Sequence, residues 1–105
     1  MFSVTFEWDD SKNALNFTKH GITFEEASLI FEGRTLSWVD RRFDYGERRT
    51  ISIGVIRGIV AVSIVHTKRA ERVRIISARL ANRHERKLYD EYLGKAPYGT
   101  GGDEG

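Results

Sequence analysis

The sequence contains no cysteine and only one proline among its 105 residues. Without cysteine, the chain can form neither a disulfide framework nor a zinc site with thiolate ligands. The three histidines lie far apart, at positions 20, 66 and 84, and such dispersed histidines are a poor basis for a metal centre. We therefore expect a fold without disulfides and without a metal or other cofactor.

Long apolar runs are also missing. No segment approaches the roughly 20 consecutive apolar residues with which a helix crosses a bilayer. The first residues, Met1–Val4, lack the basic region and the apolar stretch of a secretory signal peptide. Together with the absence of cysteine, these features predict a cytoplasmic protein.

The composition is typical of a globular protein, and the charge is distributed unevenly along the chain. Hydrophobic residues make up 40% of the chain and charged residues 30%, which suits one domain with a single core. Residues 33–87 carry fourteen Lys or Arg against five acidic residues, a net charge of +9, whereas residues 1–32 sum to −4 and residues 88–105 to −3. A segment this basic is typical of a surface that binds a polyanion, although a solvated basic face is the alternative.

Two short helices are predicted near the N-terminus. Asp9 is a suitable N-cap for a helix over residues 10–19, which Gly21 would end in the left-handed conformation. Thr23 and Glu26 have the spacing of a capping box and begin a second helix.

After residue 33 the apolar pattern changes to a period of two, which predicts strands. The candidate strands are Thr35–Val39, Thr50–Val55, Ile59–Val65 and Glu71–Ala78, with Phe6–Trp8 as either a further short strand or an aromatic anchor. The run Ile59–Val65 is apolar on both faces and should be central in the sheet. Turns are expected at Arg57-Gly58 and over residues 67–70, and a loop over residues 40–46.

A third helix is predicted to begin after Asn82, because Glu85 follows three residues later in the spacing of a capping box. The predicted fold class is α+β, with two short N-terminal helices, an antiparallel sheet of about four strands and a C-terminal helix. We expect residues 1–93 to form one domain. Residues 94–105 are rich in glycine and poor in hydrophobic residues, so we expect a disordered tail.

Several blocks of residues between positions 5 and 92 follow one another in a recognisable order. In the first part of the chain they are Phe6-Glu7-Trp8-Asp9, Lys12, Asn16, Lys19-His20-Gly21 and Phe24-Glu25-Glu26-Ala27. In the second part they are Arg48, Gly54, Val65-His66-Thr67, Arg74-Ile75-Ile76-Ser77-Ala78-Arg79, Arg83, Glu85, Arg86 and Tyr89. In these blocks the chain resembles the BrnT toxins of bacterial toxin–antitoxin systems.

The resemblance implies a RelE-like fold, a ribonuclease activity that inhibits translation and growth, and a cognate antitoxin of the BrnA type. In that family the antitoxin is usually a ribbon-helix-helix protein that binds DNA, inhibits the toxin and helps to repress their shared operon. The toxin itself would then meet DNA only through the complex. One departure is Leu80-Ala81-Asn82, where the family commonly has a basic residue followed by Ala-Thr. Asparagine caps a helix as well as threonine does.

Cleavage of RNA without a metal uses the neighbouring 2′-hydroxyl as nucleophile and passes through a pentavalent phosphorane. The enzyme must hold the strand in line, stabilise charge on the non-bridging oxygens, and move protons to and from the reacting oxygens. Arginine suits the charge stabilisation because it stays charged and its planar fork donates two parallel hydrogen bonds to phosphate. A His, Glu, Tyr or Lys with a lowered pKa can move the proton.

Arg79 and Arg83 are the first candidates for the phosphate clamp. They flank the predicted junction of strand and helix, where the helix N-terminus favours an anion. The resemblance to BrnT toxins points to the same two residues. The alternative is that Arg83 is an exposed first-turn residue and Arg79 an ordinary charge at a strand end.

Arg72 and Arg74 alternate with apolar residues, so both side chains point away from the face that holds Val73 and Ile75. On an open sheet face they would line a groove for RNA, whereas on an edge strand they would serve solubility. Other basic residues are further candidates for RNA binding: Arg48, Lys68, Arg69 and Arg86.

His66 and Tyr89 are candidates for proton transfer. His66 lies at the end of an apolar strand face, which suits either a catalytic or a core-edge histidine. Tyr89 can act as an acid or stack on a base, or it can pack its ring against the sheet. His20 is more typical of a helix cap, and His84 of the outside of a first turn. Glu47 suits either a general base or an exposed ion pair.

The basic surface leaves two other classes of function open. A non-catalytic module that binds RNA or DNA would retard RNA on a gel but leave it intact. An inactive homologue that only sequesters an antitoxin would bind that partner yet neither cut nor retain RNA.

Overall fold

The computed structural model describes residues 4–94. Its elements are β1 (Thr5–Glu7), α1 (Asp10–His20), α2 (Phe24–Ala27) followed by a 3₁₀ turn (Ser28–Glu32), β2 (Leu36–Val39), β3 (Arg49–Ile56), β4 (Val60–Arg69), β5 (Arg72–Leu80) and α3 (Arg83–Gly94). Gly94 closes α3, and the remainder of the predicted disordered tail, residues 95–105, lies outside the described residues. Within residues 4–94, no helix combines the length and the apolar character that a membrane crossing requires.

The five strands form one mixed sheet in the order β1-β5-β4-β3-β2. The α+β class and the central place of β4 are confirmed. The prediction of about four antiparallel strands is wrong, because β1 is a fifth strand and runs parallel to β5. Thr5 lies opposite Arg72 and Glu7 opposite Arg74. No local pattern in a strand of three residues reveals a pairing across so long a stretch of chain.

The predicted turn over residues 67–70 is displaced toward the C-terminus. Thr67–Arg69 remain in β4 and pair with β5, and the chain reverses at Ala70 and Glu71, with Ala70 at φ +55°. Polar residues at an exposed hairpin end lack the apolar alternation by which a strand is recognised. The predicted turn at Arg57-Gly58 is confirmed, and both residues take the positive φ of a tight hairpin.

The three predicted helix starts are confirmed by their caps. Asp9 accepts a hydrogen bond from the first turn of α1 at 3.1 Å. Thr23 and Glu26 bond each other's backbone in a capping box, after which α2 tightens into the 3₁₀ turn. Asn82 accepts from the Glu85 N–H at 2.8 Å, and the Glu85 carboxylate accepts from the Asn82 N–H at 2.9 Å. Each cap satisfies backbone donors that the helix itself leaves free.

One face of the sheet, called the covered face here, packs against α1, α2 and the 3₁₀ turn. The buried core between them consists of Ile22, Phe24, Ala27, Ile30, Ile56, Val62, Ile64, Ile75 and Ala78. Gly54 of β3 allows the close approach of the 3₁₀ turn, since a Cβ atom there would lie 2.7 Å from Cβ of Ile30. Phe6 of β1 stacks on Phe31 at the rim of this core, with ring centroids 5.4 Å apart.

The opposite face, called the open face here, meets a helix at one end only. There Tyr89 of α3 is buried and its hydroxyl donates a hydrogen bond to the Arg34 carbonyl at 2.7 Å. The same helix flanks a shallow hollow lined by Val55 and Ala61. No helix of residues 4–94 covers the rest of this face, so the side chains of its strands can be reached by a ligand.

Asn16, buried in α1, joins that helix to β5. Its Nδ2 donates to the carbonyl oxygens of Ala78 (2.8 Å) and Ile22 (3.0 Å), and its Oδ1 accepts from the Ala78 N–H at 3.1 Å. Strand β1 accompanies β5 only as far as Arg74. The amide of Asn16 therefore does for Ala78 what a neighbouring strand would do.

We expect Asn16→Ala to lower the free energy of unfolding by about 2–4 kcal/mol, because buried backbone groups of Ala78 and Ile22 lose their partners. A urea titration followed by circular dichroism measures the effect. Lys12→Ala, an exposed position one turn earlier in α1, is the control and should stay within about 0.5 kcal/mol of wild type. Equal stability of the two variants would contradict the role given to Asn16.

Candidate functional site

A cavity of about 440 Å³, called the arginine groove here, lies on the open face between the end of α1 and the start of α3. Three paired residues form its floor: Ile51 of β3, Val65 of β4 and Ser77 of β5. The other lining residues are His20, Arg42, Ser63, Ala78, Arg79 and Glu85. Two arginines, one histidine and two serines thus face the same space.

Arg79 is held in this groove by a bidentate ion pair with Glu85. Its Nη1 and Nη2 atoms donate to the two carboxylate oxygens of Glu85, each at 2.8 Å. The Glu85 side chain is 10% exposed and that of Arg79 41% exposed, so the carboxylate lies behind the guanidinium. The hydrogen bonds to Glu85 raise the pKa of Arg79, although burial and the charge of Arg42 act in the opposite direction. The arginine is therefore both charged and fixed in orientation.

Glu85 stays ionised in spite of its surroundings. Burial by itself would raise the pKa of this carboxyl, but hydrogen bonds from Arg79 and from the Asn82 N–H lower it below its ordinary value. The same carboxylate therefore caps α3 and anchors Arg79.

Arg42 enters the groove from the loop between β2 and β3 and is anchored in the same way. Its Nε and Nη2 atoms donate to Asp40 at 2.9 and 2.8 Å, and the Tyr45 hydroxyl donates to Asp40 at 2.9 Å. The Asp40 side chain is fully buried, whereas 60% of the Arg42 side chain is exposed. The hydrogen bonds from Arg42 hold the pKa of Asp40 far below its usual range, and Asp40 in turn raises the pKa of Arg42.

The arrangement suits an anion with several oxygens. Two guanidinium groups, each backed by a carboxylate, share one groove, and fixed donors of this kind stabilise negative charge as it develops. The hydroxyls of Ser63 and Ser77 and the ring of His20 add further hydrogen-bonding groups. In the described part of the chain, no three or more His, Cys, Asp or Glu side chains are grouped so as to hold a metal ion.

Of the four residues predicted to be catalytic, the groove contains Arg79. Arg83 is exposed in the first turn of α3 and does not line the groove. Tyr89 is buried at the far end of the open face, where its hydroxyl is bonded to the Arg34 carbonyl and burial raises its pKa. Its contacts are those of a packing residue.

His66 lies on the covered face, on the other side of the sheet from the groove. Its Nε2 is 2.8 Å from the Ser52 hydroxyl, which is itself 2.6 Å from the Ser37 hydroxyl. Its ring meets Phe31 edge-on with centroids 5.2 Å apart, and burial lowers its pKa. The structure therefore does not bring His66 together with Arg79.

Three of the residues predicted to bind RNA lie on the open face, away from the groove. Arg72 and Arg74 both reach the carboxylate of Glu7, at 3.4 and 3.0 Å. Arg69 pairs with Glu47 at 3.0 Å. The remaining residues of this set, Arg48, Lys68 and Arg86, are exposed. Their roles in RNA binding stay predictions.

No sequence pattern pointed to Arg42 as a site residue, and the position of His20 favoured a helix cap over a role in the site. The spacing of Asp40 and Arg42, two residues apart in a polar loop, is a local signal for a fixed arginine. Its position opposite Arg79 depends on the pairing of β3, β4 and β5, which no short motif reveals. His20 reaches the groove because Asn16 docks α1 against β5.

Comparison with known proteins gives a family and a fold. The family model described as "Ribonuclease toxin, BrnT, of type II toxin-antitoxin system" matches residues 8–85. The crystal structure of the Brucella abortus ribonuclease toxin BrnT is similar, with 20% sequence identity and a TM-score of 0.58, over 77% of this chain and 100% of that one. Among curated proteins no significant match is found. The resemblance found in the sequence blocks is confirmed, and the RelE-like label of the fold stays a prediction.

The pairing of the buried Asp40 carboxylate with Arg42 predicts an acid dependence of stability. The pKa of Asp40 is lowered by folding, so its contribution is complete above the unfolded value of about 4 and is lost as the pH falls toward the folded value. We therefore expect the cost of Asp40→Asn, measured by urea unfolding, to be large at pH 7 and to shrink between about pH 5 and pH 2. Asp44→Asn controls for the lost charge in the same loop. A cost of Asp40→Asn that is the same at pH 3 and pH 7 would refute this linkage.

Proposed function

The chain belongs to the BrnT family of ribonuclease toxins of type II toxin–antitoxin systems, and from that membership we propose that it cleaves RNA without a metal ion in the arginine groove. The observation that carries this proposal is the pair of guanidinium groups, each fixed by a carboxylate, that face one cavity. Cleavage of cellular RNA is the route by which the chain would inhibit translation.

The reaction we propose starts with attack of the 2′-oxygen on the adjacent phosphorus. The new 2′-oxygen–phosphorus bond forms as the bond from phosphorus to the 5′-oxygen breaks, which leaves a 2′,3′-cyclic phosphate and a 5′-hydroxyl. Negative charge grows on the non-bridging oxygens, where Arg42 and Arg79 are proposed to donate hydrogen bonds. Within residues 4–94, neither hydrogen of Arg42 Nη1 is used in a hydrogen bond to protein, so both are free to donate.

The proton of the 2′-hydroxyl must pass to a base, and the departing 5′-oxygen must gain a proton. We propose His20 for one of these transfers, because it lines the arginine groove and an imidazole can both accept and donate a proton. Arg83, exposed on the first turn of α3, is proposed to contact a phosphate next to the reacting one. The contacts of His66 and Tyr89 support structural roles instead.

The open face beyond the groove is proposed to bind the RNA strand on either side of the cleaved bond. Arg69 and Arg72 lie there with exposed side chains and Arg74 with a half-buried one, and each is paired with a carboxylate. An antitoxin of the BrnA type, with a ribbon-helix-helix DNA-binding domain, is the proposed partner. By covering the same basic face it would exclude RNA from the groove.

Arg79→Ala and Arg42→Ala should each lower the rate of RNA cleavage by at least about 100-fold, the scale of a lost transition-state contact. The measurement is cleavage of total RNA by the purified, antitoxin-free chain in EDTA. Lys87→Ala, which removes one exposed positive charge from α3, is the control and should cleave as wild type does. Arg83→Ala should raise KM more than it lowers kcat.

Circular dichroism and urea unfolding must show that each variant is folded, because Arg79→Ala leaves Glu85 without its partner. A folded Arg42→Ala/Arg79→Ala double variant with wild-type activity would refute the assignment of the groove. If EDTA abolishes cleavage by the wild-type chain, the proposed metal independence is wrong, but the assignment of the groove is not affected.

The affinity for single-stranded RNA should fall steeply as salt is raised, because each phosphate contact releases counterions from the RNA. Arg72→Ala and Arg74→Ala should each reduce the slope of log Kd against log salt by about 0.7. Lys87→Ala should leave the slope unchanged. A flat salt response of the wild-type chain would mean that the basic open face does not meet the phosphates.

A further inference from the structure

The loop of residues 41–48 between β2 and β3 carries an aromatic side chain that the fold does not use. Phe43 is 70% exposed, more than any other aromatic side chain in residues 4–94. It belongs to neither the covered face nor the floor of the arginine groove. Its apolar ring stands in water among polar and charged side chains of the loop, where a ligand can reach it.

Hydrogen bonds within the loop fix the conformation of the segment that carries Phe43. The Asp40 N–H donates to the Arg49 carbonyl at 2.8 Å, which closes the loop at its foot, and the Asp40 carboxylate binds both Arg42 and Tyr45. The Tyr45 ring contacts both the Arg49 guanidinium, whose Cζ is 4.2 Å from the ring centroid, and the Phe43 ring, with centroids 5.8 Å apart and an interplanar angle of 74°. Tyr45 is thus an aromatic neighbour of Phe43, and most of the Phe43 side chain stays exposed.

A second cavity, of about 450 Å³, lies beside this ring and is called the loop pocket here. Its lining residues are Val39, Asp40, Arg41, Arg42, Phe43, Asp44, Tyr45, Glu47 and Arg48. Arg42 lines both the loop pocket and the arginine groove, so the two cavities share a wall. Of the carboxylates in the loop pocket, Asp40 is bonded to Arg42 and Glu47 to Arg49 and Arg69.

We propose that the loop pocket is a nucleobase subsite, in which Phe43 stacks on the base next to the phosphate that Arg42 and Arg79 hold. The inference rests on the proposed function and extends it from the phosphate to the base. A flat ring among arginines matches the chemistry of a nucleotide, an aromatic base joined to an anion. Every base has a π face, so stacking favours single-stranded RNA, whose bases are free to turn out, without choosing one base strongly.

The test is the binding of a fluorescein-labelled, single-stranded 2′-O-methyl RNA oligonucleotide, which lacks the nucleophile and is bound without being cut. Phe43→Ala should weaken binding by about 5- to 150-fold, the scale of one lost base–aromatic stack. Phe43→Trp keeps a flat ring and should restore the affinity. Phe43→Leu keeps an apolar side chain but no ring and should not.

A series of the same oligonucleotide with one abasic position at a time separates the base from the backbone. At one position the missing base should weaken binding to wild type, and at that position Phe43→Ala should cause no further loss. All variants should unfold at the urea concentration of wild type, since Phe43 is exposed.

Equal affinity of wild type and Phe43→Ala for the intact oligonucleotide would overturn the subsite alone. So would a loss on Phe43→Ala that is the same at every abasic position, because the ring would then act on the backbone or the loop. If Phe43→Ala binds RNA normally but loses affinity for the cognate antitoxin, the ring is a protein-docking residue and the proposal fails. A wild-type chain that binds no oligonucleotide would overturn the proposed function and the subsite together.

Discussion

The amide of Asn16 is the contact on which the geometry of the site depends. It satisfies both backbone groups of Ala78, the residue before Arg79, at a point where β1 has already ended. A helix packs against a sheet mainly through apolar side chains, and the burial of apolar surface is non-directional. Hydrogen bonds to one defined residue fix the position of α1 along β5. The last residue of α1, His20, then falls beside the arginine groove. The buried amide of Asn16 therefore satisfies the backbone at the free edge of β5 and also positions His20 beside the groove.

The two arginines of the groove are held by carboxylates with different origins. Asp40 binds an arginine two residues away in its own loop, and this contact therefore depends only on the local conformation of the loop. Glu85 belongs to the first turn of α3 and binds an arginine of β5 while it also caps the helix. The start of α3 and the orientation of Arg79 are consequently coupled through one side chain. Removing either arginine would leave a buried carboxylate without its partner, and the cost of that uncompensated charge ties the two members of each pair together.

Local features of the fold could be read from the sequence, and long-range ones could not. The caps formed by Asp9, Thr23 and Asn82 follow from residue types at fixed spacing, and the alternation in β3 and β4 follows from burial of one or both faces. The parallel pairing of β1 and the meeting of Arg42 with Arg79 join segments far apart in the chain. The alternation places His66 with the apolar face of β4, but the alternation does not say which face the helices cover. In the structure the helices cover the face that holds His66, so His66 lies on the other side of the sheet from the groove, whereas His20 at the end of α1 lines it.

The arginines of the open face divide into two kinds by what holds them. Arg72 and Arg69 pair with carboxylates while 60% and 49% of their side chains stay exposed, and ion pairs of this kind contribute little to stability. Under the proposed function, a phosphate of RNA would replace Glu7 or Glu47 at small cost, and without RNA these pairs limit the repulsion between the arginines of the basic surface. Asp40 and Glu85 are buried behind their arginines and cannot be exchanged in this way. Exchangeable pairs suit the binding of a strand, and permanent pairs suit the groove, where donors must already point at the charge that develops in the transition state.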